Sequence, residues 1–163
     1  MQKEPKVEYP YARLPTKTWT ILFLDGAENI ARLKDAGKDA GHAVIGARTI
    51  EEAWAFLDGK DHVDAIVCAA HLEEGSMFDF LQSVRDSEVH RNTKFLILAL
   101  APSAMGARLH GSTASAGAAL GADSYAIMPV FDPLKLLTLI RNLQLPVPVR
   151  QQSAAGDGER RVD

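Results

Sequence analysis

Few side chains in this sequence stand at spacings that suit chemistry. The clearest frame is Gly106-Ala107-Arg108-Leu109-His110-Gly111-Ser112-Thr113, a Gly-x4-Gly-Ser-Thr pattern. Loops of that form cradle phosphate with backbone N–H groups between a strand and a helix, and add a lysine to reach the anion. The lysine is missing here, so glycines in a long loop before a Ser N-cap account for the pattern adequately. Gly106, Gly111, Ser112 and Thr113 stand as a weak anion or nucleotide site. The histidines His42, His62, His71, His90 and His110 show no pairing at metal-ligand spacing, and Cys68 falls inside a run that reads as buried strand. No Ser-His-Asp or Cys-His arrangement is discernible. The expectation is no enzyme activity, no metal and no cofactor.

Carboxylates are scattered rather than paired. Asp25 closes an apolar run, Glu73 and Glu74 follow Ala69 on a loop, and His71 stands two positions beyond that alanine. Solvated loop residues are the plain reading of Glu73, Glu74 and His71, with a pocket-facing role as the alternative. Asp64 opens the run that ends at Ala69, about 17 Å away at about 3.3 Å per extended residue.

An alternation of strand and helix signals positions these residues. Trp19–Leu24 is a continuous apolar run stopped by Asp25-Gly26, as in a strand buried on both faces. Ile30, Leu33 and Ala40 mark a helix ending at Gly41, and His42–Ala47 a second strand. Thr49 caps the next helix with Glu52 three residues on, and Ala53, Phe56 and Leu57 are expected to face inward. The third strand is Asp64–Cys68; Met77, Phe78, Leu81 and Val84 mark the helix after it. Phe95–Leu100 reads as the fourth strand. A Gly- and Ala-rich stretch to Leu120 holds a loop and a helix, and Asp123–Ile127 is a short fifth strand. Asp132 as N-cap and Pro133 as first residue open the last helix, with an apolar stripe of Leu134, Leu137, Ile140 and Leu143 and Pro146 beyond its end. Such alternation implies right-handed crossovers and an α/β, doubly wound parallel sheet covered on both faces. Its functional crevice lies at the carboxyl ends of the strands. The loops that matter therefore follow Asp25-Gly26, Ala69, Leu100 and Met128-Pro129.

Composition fits one such domain. The 163 residues are 47% hydrophobic and 24% charged, with a net charge of −3. A slightly negative balance without a Lys/Arg block argues against nucleic acid as a partner. The single cysteine points to a reducing, cytoplasmic setting. No segment approaches the roughly 20 apolar residues of a membrane span. Residues 1–18, with Pro5, Pro10 and Pro15, read as a flexible arm, 19–145 as the domain, and 146–163 as a disordered tail.

Three segments carry a family likeness. Ile21-Leu22-Phe23-Leu24-Asp25-Gly26 is similar to a first strand that ends in an acid pair. Gly41-His42-Ala43-Val44 is similar to a Gly-aromatic-x-Val opening of strand two. Gly121-Ala122-Asp123-Ser124-Tyr125-Ala126-Ile127-Met128-Pro129-Val130 follows a Gly-Ala-x-x-Tyr-x-x-Lys-Pro-Phe signature with Met128 in place of its lysine. Over residues 19–145 the chain thereby resembles the receiver domains of two-component response regulators, the CheY-like family. The resemblance implies a (βα)5 flavodoxin-like sandwich with a five-stranded parallel sheet of order 2-1-3-4-5.

It also implies a degenerate phosphorylation pocket. The acid pair becomes Asp25 and Gly26, the phosphoacceptor position is Ala69, the hydroxyl position falls at Ala99 or at Ala101, and the lysine position is Met128. A methyl group is no nucleophile, and Mg²⁺ requires hard oxygen ligands in near-octahedral geometry. The chain is therefore expected to be an atypical, phosphorylation-independent pseudo-receiver, with Ala69 and Met128 packing together to close the crevice. Tyr125 stands where the family has its switch aromatic. Tyr125, Pro129 and Val130 lie on the face of helix four, strand five and helix five, the expected docking surface for a protein partner in a signalling pathway. A homodimer is left open. The alternative is a ligand-sensing domain that takes an anion or nucleotide at the Gly106–Thr113 loop or in the emptied crevice.

Overall fold

In the computed structural model the described residues are 18–59, 62–100 and 104–145, with the backbone alone described over 104–110. Apart from Thr18, the expected arm and tail lie outside them. Five strands alternate with five helices: β1 (Thr20–Leu24), α1 (Ala27–Asp39), β2 (Ala43–Ala47), α2 (Ile50–Leu57), β3 (Ala65–Ala69), α3 (Met77–Asp86), β4 (Lys94–Ala99), α4 (Ala104–Ala119), β5 (Ser124–Ile127) and α5 (Pro133–Gln144). Every strand pairing is parallel, and the sheet order is β2-β1-β3-β4-β5. The expected fold class and strand order are both present.

The period-2 geometry of a strand turns each apolar run into two buried faces. On β1, Ile21 and Phe23 enter one core with Leu33, Leu136 and Ile140, while Leu22 and Leu24 enter the other with Leu57, Phe80 and Leu81. Helices α1 and α5 cover the first side; α2 and α3 pack on the second. Capping follows the sequence. Glu52 N–H donates to Thr49 Oγ1 at 3.0 Å, and Lys135 N–H donates to Asp132 Oδ1 at 3.1 Å. Gly41 ends α1 at φ 87°, where His42 N–H reaches Gly37 O at 2.7 Å, a turn that favours glycine.

Several expected inward faces are corrected. In α5 the buried residues are Leu136, Leu137 and Ile140, and Leu134 is 67% exposed. Steps of three residues drift around a 3.6-residue turn, so the stripe starting at Leu134 rotates off a face centred on Leu136 and Ile140. In α1 the third buried residue is Gly37 rather than Ala40. In α3 Phe80 is buried with the expected Met77, Leu81 and Val84, while Phe78 and, in α2, Phe56 pack half-buried against the same core. Trp54 meets Phe80 edge-on, their ring centroids 5.9 Å apart.

The largest correction concerns the glycine frame. Residues 104–119 form one 16-residue helix, so Gly106, Gly111, Ser112 and Thr113 stand in α4 and not in a loop. Alanine is the best helix former, and the few glycines cost about 1 kcal/mol each. Within a helix the N–H groups beyond the first turn bond to carbonyls four residues back. Gly111, Ser112 and Thr113 therefore offer no backbone cradle for an anion. Gly117 has a packing role, since a Cβ there would collide with Ile97.

Arg85 ties the far end of this layer. Its guanidinium donates to Gly121 O at 3.0 and 2.8 Å, to Thr93 O at 2.7 Å, to Arg91 O at 2.9 Å and to Asp123 Oδ2 at 3.0 Å. Gly121, at φ 105°, ends the turn after α4, and a Cβ there would approach Arg85 Nε to 3.0 Å.

Candidate functional site

Backbone pairing runs just past the strands and fixes the floor of a crevice. Asp25 N–H donates to Ala47 O at 3.2 Å, Ala70 N–H to Leu98 O at 2.8 Å, and Met128 N–H to Ala99 O at 2.8 Å. Asp25 is half-buried. Its Oδ1 accepts from Gly26 N–H at 2.6 Å and from Asn29 Nδ2 at 3.3 Å. Its Oδ2 is buried without a hydrogen-bond partner. Burial pushes the carboxyl above its usual range, against the pull of the Gly26 and Asn29 hydrogen bonds. Burial, then the nearby Asp25, push the Cys68 thiol far up, which makes it inert as a nucleophile.

The expected closure of the crevice does not occur. A cavity of about 220 Å³ is lined by Asp25, Gly26, Arg48, His71, Leu72 and Glu73. A second, of about 160 Å³, is lined by Asp25, Ala69, Ala70, His71, Leu98 and Leu100. Met128 lines neither. At 2% exposure its side chain belongs to the core with Phe131 and Leu136. As the next residue after β5, it follows the pleat into the apolar layer beneath α1 and α5 instead of reaching across to Ala69.

The crevice thus unites Asp25, Gly26, Ala69, His71 and Glu73. Glu74 lines neither cavity. Ala99 is buried at the end of β4, paired with Ile127, and Ala101 lies outside the described residues. Arg48 escaped the sequence reading, which passed over the loop after β2 although it too follows the carboxyl end of a strand. Its backbone N–H donates to Glu52 Oε1 at 2.7 Å, leaving an exposed side chain on the cavity wall.

A divalent cation does not fit these donors. Mg²⁺ takes several oxygens at short range, and Asp25 already commits Oδ1 to two donors. Ala69 supplies a methyl. Among the described residues no group of three His, Cys, Asp or Glu side chains is placed to hold a metal.

A second region lies around β5. Tyr125 packs against the core beside α3 and α4, where burial pushes its hydroxyl above the usual range and the neighbouring Thr113 of α4 opposes the shift. Beyond it, Ile127, Val130 and Leu134 are 43%, 77% and 67% exposed, and Pro129 is exposed. The strand is a sheet edge. No helix among the described residues is long and apolar enough to cross a membrane.

No family model matches the chain, and no curated protein matches it. Solved structures do. A Chloroflexus aurantiacus protein assigned as a response regulator is 25% identical, with 78% of this chain and 98% of that one covered at a TM-score of 0.64. The chemotaxis response regulator CheY4 of Vibrio cholerae is 23% identical, with 77% and 98% covered at 0.66. A response regulator from Thermotoga maritima is 22% identical, with 78% and 98% covered at 0.63. The chain has the response-regulator receiver fold. In this receiver fold Asp25, Ala69 and Met128 stand at the carboxyl ends of β1, β3 and β5, where an open α/β sheet builds its site. Tyr125 stands on β5 beside α4.

Proposed function

We propose that the chain is a pseudo-receiver: a non-enzymatic, phosphorylation-independent interaction module in a cytoplasmic signalling pathway. One observation carries the reading. The carboxyl ends of β3 and β5 present the methyl of Ala69 and an inward-turned Met128, while Asp25 stays at the end of β1. At the positions where the resemblance places a phosphoryl acceptor and a lysine, Ala69 offers no nucleophile and Met128 no charge. Signal output then rests on binding through the α4-β5-α5 face. Exposed Ile127, Val130 and Leu134 supply apolar area there, and Tyr125, beside Thr113, is an aromatic anchor. The partner is a protein, with a second copy of the chain as the simplest case.

Amide NMR with Mg²⁺ and beryllofluoride, a phosphoryl mimic, tests the pocket. The expected result is an unchanged spectrum; saturable shifts at Asp25 and Ala69 would overturn the reading. The docking face is tested by Val130→Glu and Leu134→Glu, both expected to abolish partner or self-association without lowering the melting temperature.

A second reading, ligand sensing, is favoured by the open crevice and by the unpartnered Oδ2 of Asp25. The helical backbone of residues 106–113 speaks against the other place for it.

A further inference from the structure

The crevice carries unmet electrostatic demand of two signs. Asp25 Oδ2 is buried and has no partner, and a buried acceptor left unpaired is costly unless a donor arrives. Asp25 lines both cavities, so a molecule in either meets this residue. No lysine among the described residues lines them. Arg48 stands on the wall of the larger cavity, yet Oδ2 remains unpaired, so this guanidinium is not engaged with it. Glu73 adds a second carboxylate to the same wall, and His71 is common to both. The smaller cavity is more apolar, with Ala69, Ala70, Leu98 and Leu100 around it.

These walls discriminate among ligand classes. A phosphate or nucleotide would bring several negative charges against Asp25 and Glu73 with only Arg48 to compensate. A simple amine would satisfy Asp25 and leave the arginine idle. A molecule with one cation, one carboxylate and an apolar arm meets each wall with its complement. At about 220 Å³ the larger cavity is on the scale of a small metabolite.

We propose that the crevice binds a free α-amino acid with an aliphatic side chain. Its ammonium pairs with the Asp25 carboxylate once the buried Oδ2 turns to the cavity, its carboxylate takes the planar fork of Arg48, and its side chain enters the space beside Ala69, Leu98 and Leu100. Ala69 has a direct use in this arrangement, because a larger or charged residue there would fill the apolar arm's place. The inference specifies a ligand for the sensing reading and rests on a pocket free of Mg²⁺ and phosphate.

The test is an amide NMR titration of the full chain with L-leucine, with 4-methylpentanoate, which lacks the amine, and with isoamylamine, which lacks the carboxylate. Leucine is expected to give saturable shifts at Asp25, Arg48, Ala69 and His71, with each half-ligand weaker by about tenfold or more, as loss of one charged hydrogen bond implies. Asp25→Asn, which preserves shape, is expected to weaken leucine by a similar factor. Arg48→Gln, at an exposed position, is expected to weaken leucine and 4-methylpentanoate but not the amine. Absence of saturable leucine shifts, or leucine binding indifferent to both substitutions, would overturn the proposal. A beryllofluoride and Mg²⁺ response at the same amides would instead overturn the pseudo-receiver reading, so the two failures are distinguishable.

Discussion

Tyr125 on β5 lies beside Thr113 on α4, whose hydroxyl is near enough to bond to the phenol and oppose the upward push of burial. The ring packs against the core with Ile97 and Ala122. Tyr125→Phe and Thr113→Val are each expected to lower stability by about 1 kcal/mol. The double variant is expected to lose little more than either single one, because one bond is removed in all three. Urea denaturation of the four proteins checks this, and full additivity would show that the bond contributes nothing.

A carboxylate restored at the end of β3 is not expected to restore phosphoryl transfer. Ala69→Asp would place a second acid near Asp25, whose Oδ2 already lacks a donor, while Gly26 and Met128 are unchanged. Like charges in a half-buried site repel, so the variant should melt below the parent at neutral pH. Incubation with acetyl phosphate and Mg²⁺, followed by intact mass measurement, should show no phosphoprotein.

Arg85 is the most exposed to disruption of the structural residues. Arg85→Ala removes bonds to Gly121, Thr93, Arg91 and Asp123 together and leaves partly buried carbonyls without donors. A loss of about 3 kcal/mol is expected from chemical denaturation. Arg85→Lys should recover only part of it, since an ammonium lacks the fork that serves these acceptors at once.

His42 gives the fold a dependence on pH. Its ring stacks on Trp19 at 4.1 Å, nearly parallel, and its Nδ1 accepts from the backbone N–H of Trp19 at 3.1 Å. Burial lowers its pKa from the ordinary 6.5, opposed by the charge of Asp64. The folded state therefore binds the proton less readily than the unfolded chain. This stabilisation is complete above 6.5 and is lost as pH falls through 6.5 toward the lower folded value. His42→Phe keeps a ring against Trp19 without a titrating group. Its melting temperature is expected to fall less than the parent's between about pH 7.5 and about pH 5.5.

Much of the molecule was legible in the order of its residues. The apolar runs at Trp19–Leu24 and Phe95–Leu100 fixed buried strands, Thr49 and Asp132 fixed helix starts, and Gly41 fixed a helix end, because each depends on neighbours within a few positions. The same locality placed Asp25 and Ala69 at strand ends, and hence at the rim of a crevice. The glycines of 106–111 misled the reading, since the alanines around them carry the helix at a modest cost per glycine, and Gly111 itself packs against nothing. Only the approach of Ile97 to Gly117 shows the packing role in α4.

What the sequence could not determine was which side chains meet. Whether Met128 reaches Ala69 or sinks beneath α5 depends on the pleat and on the space left by Phe131 and Leu136. Arg48 joins Asp25 and Glu73 only because β2 lies beside β1 with its loop facing the same way. Residue types and periodicity set the elements, since these follow from local backbone and solvent preferences. The open, two-signed crevice was decided by tertiary structure, because it arises from loops far apart in the chain that the parallel sheet brings to one edge.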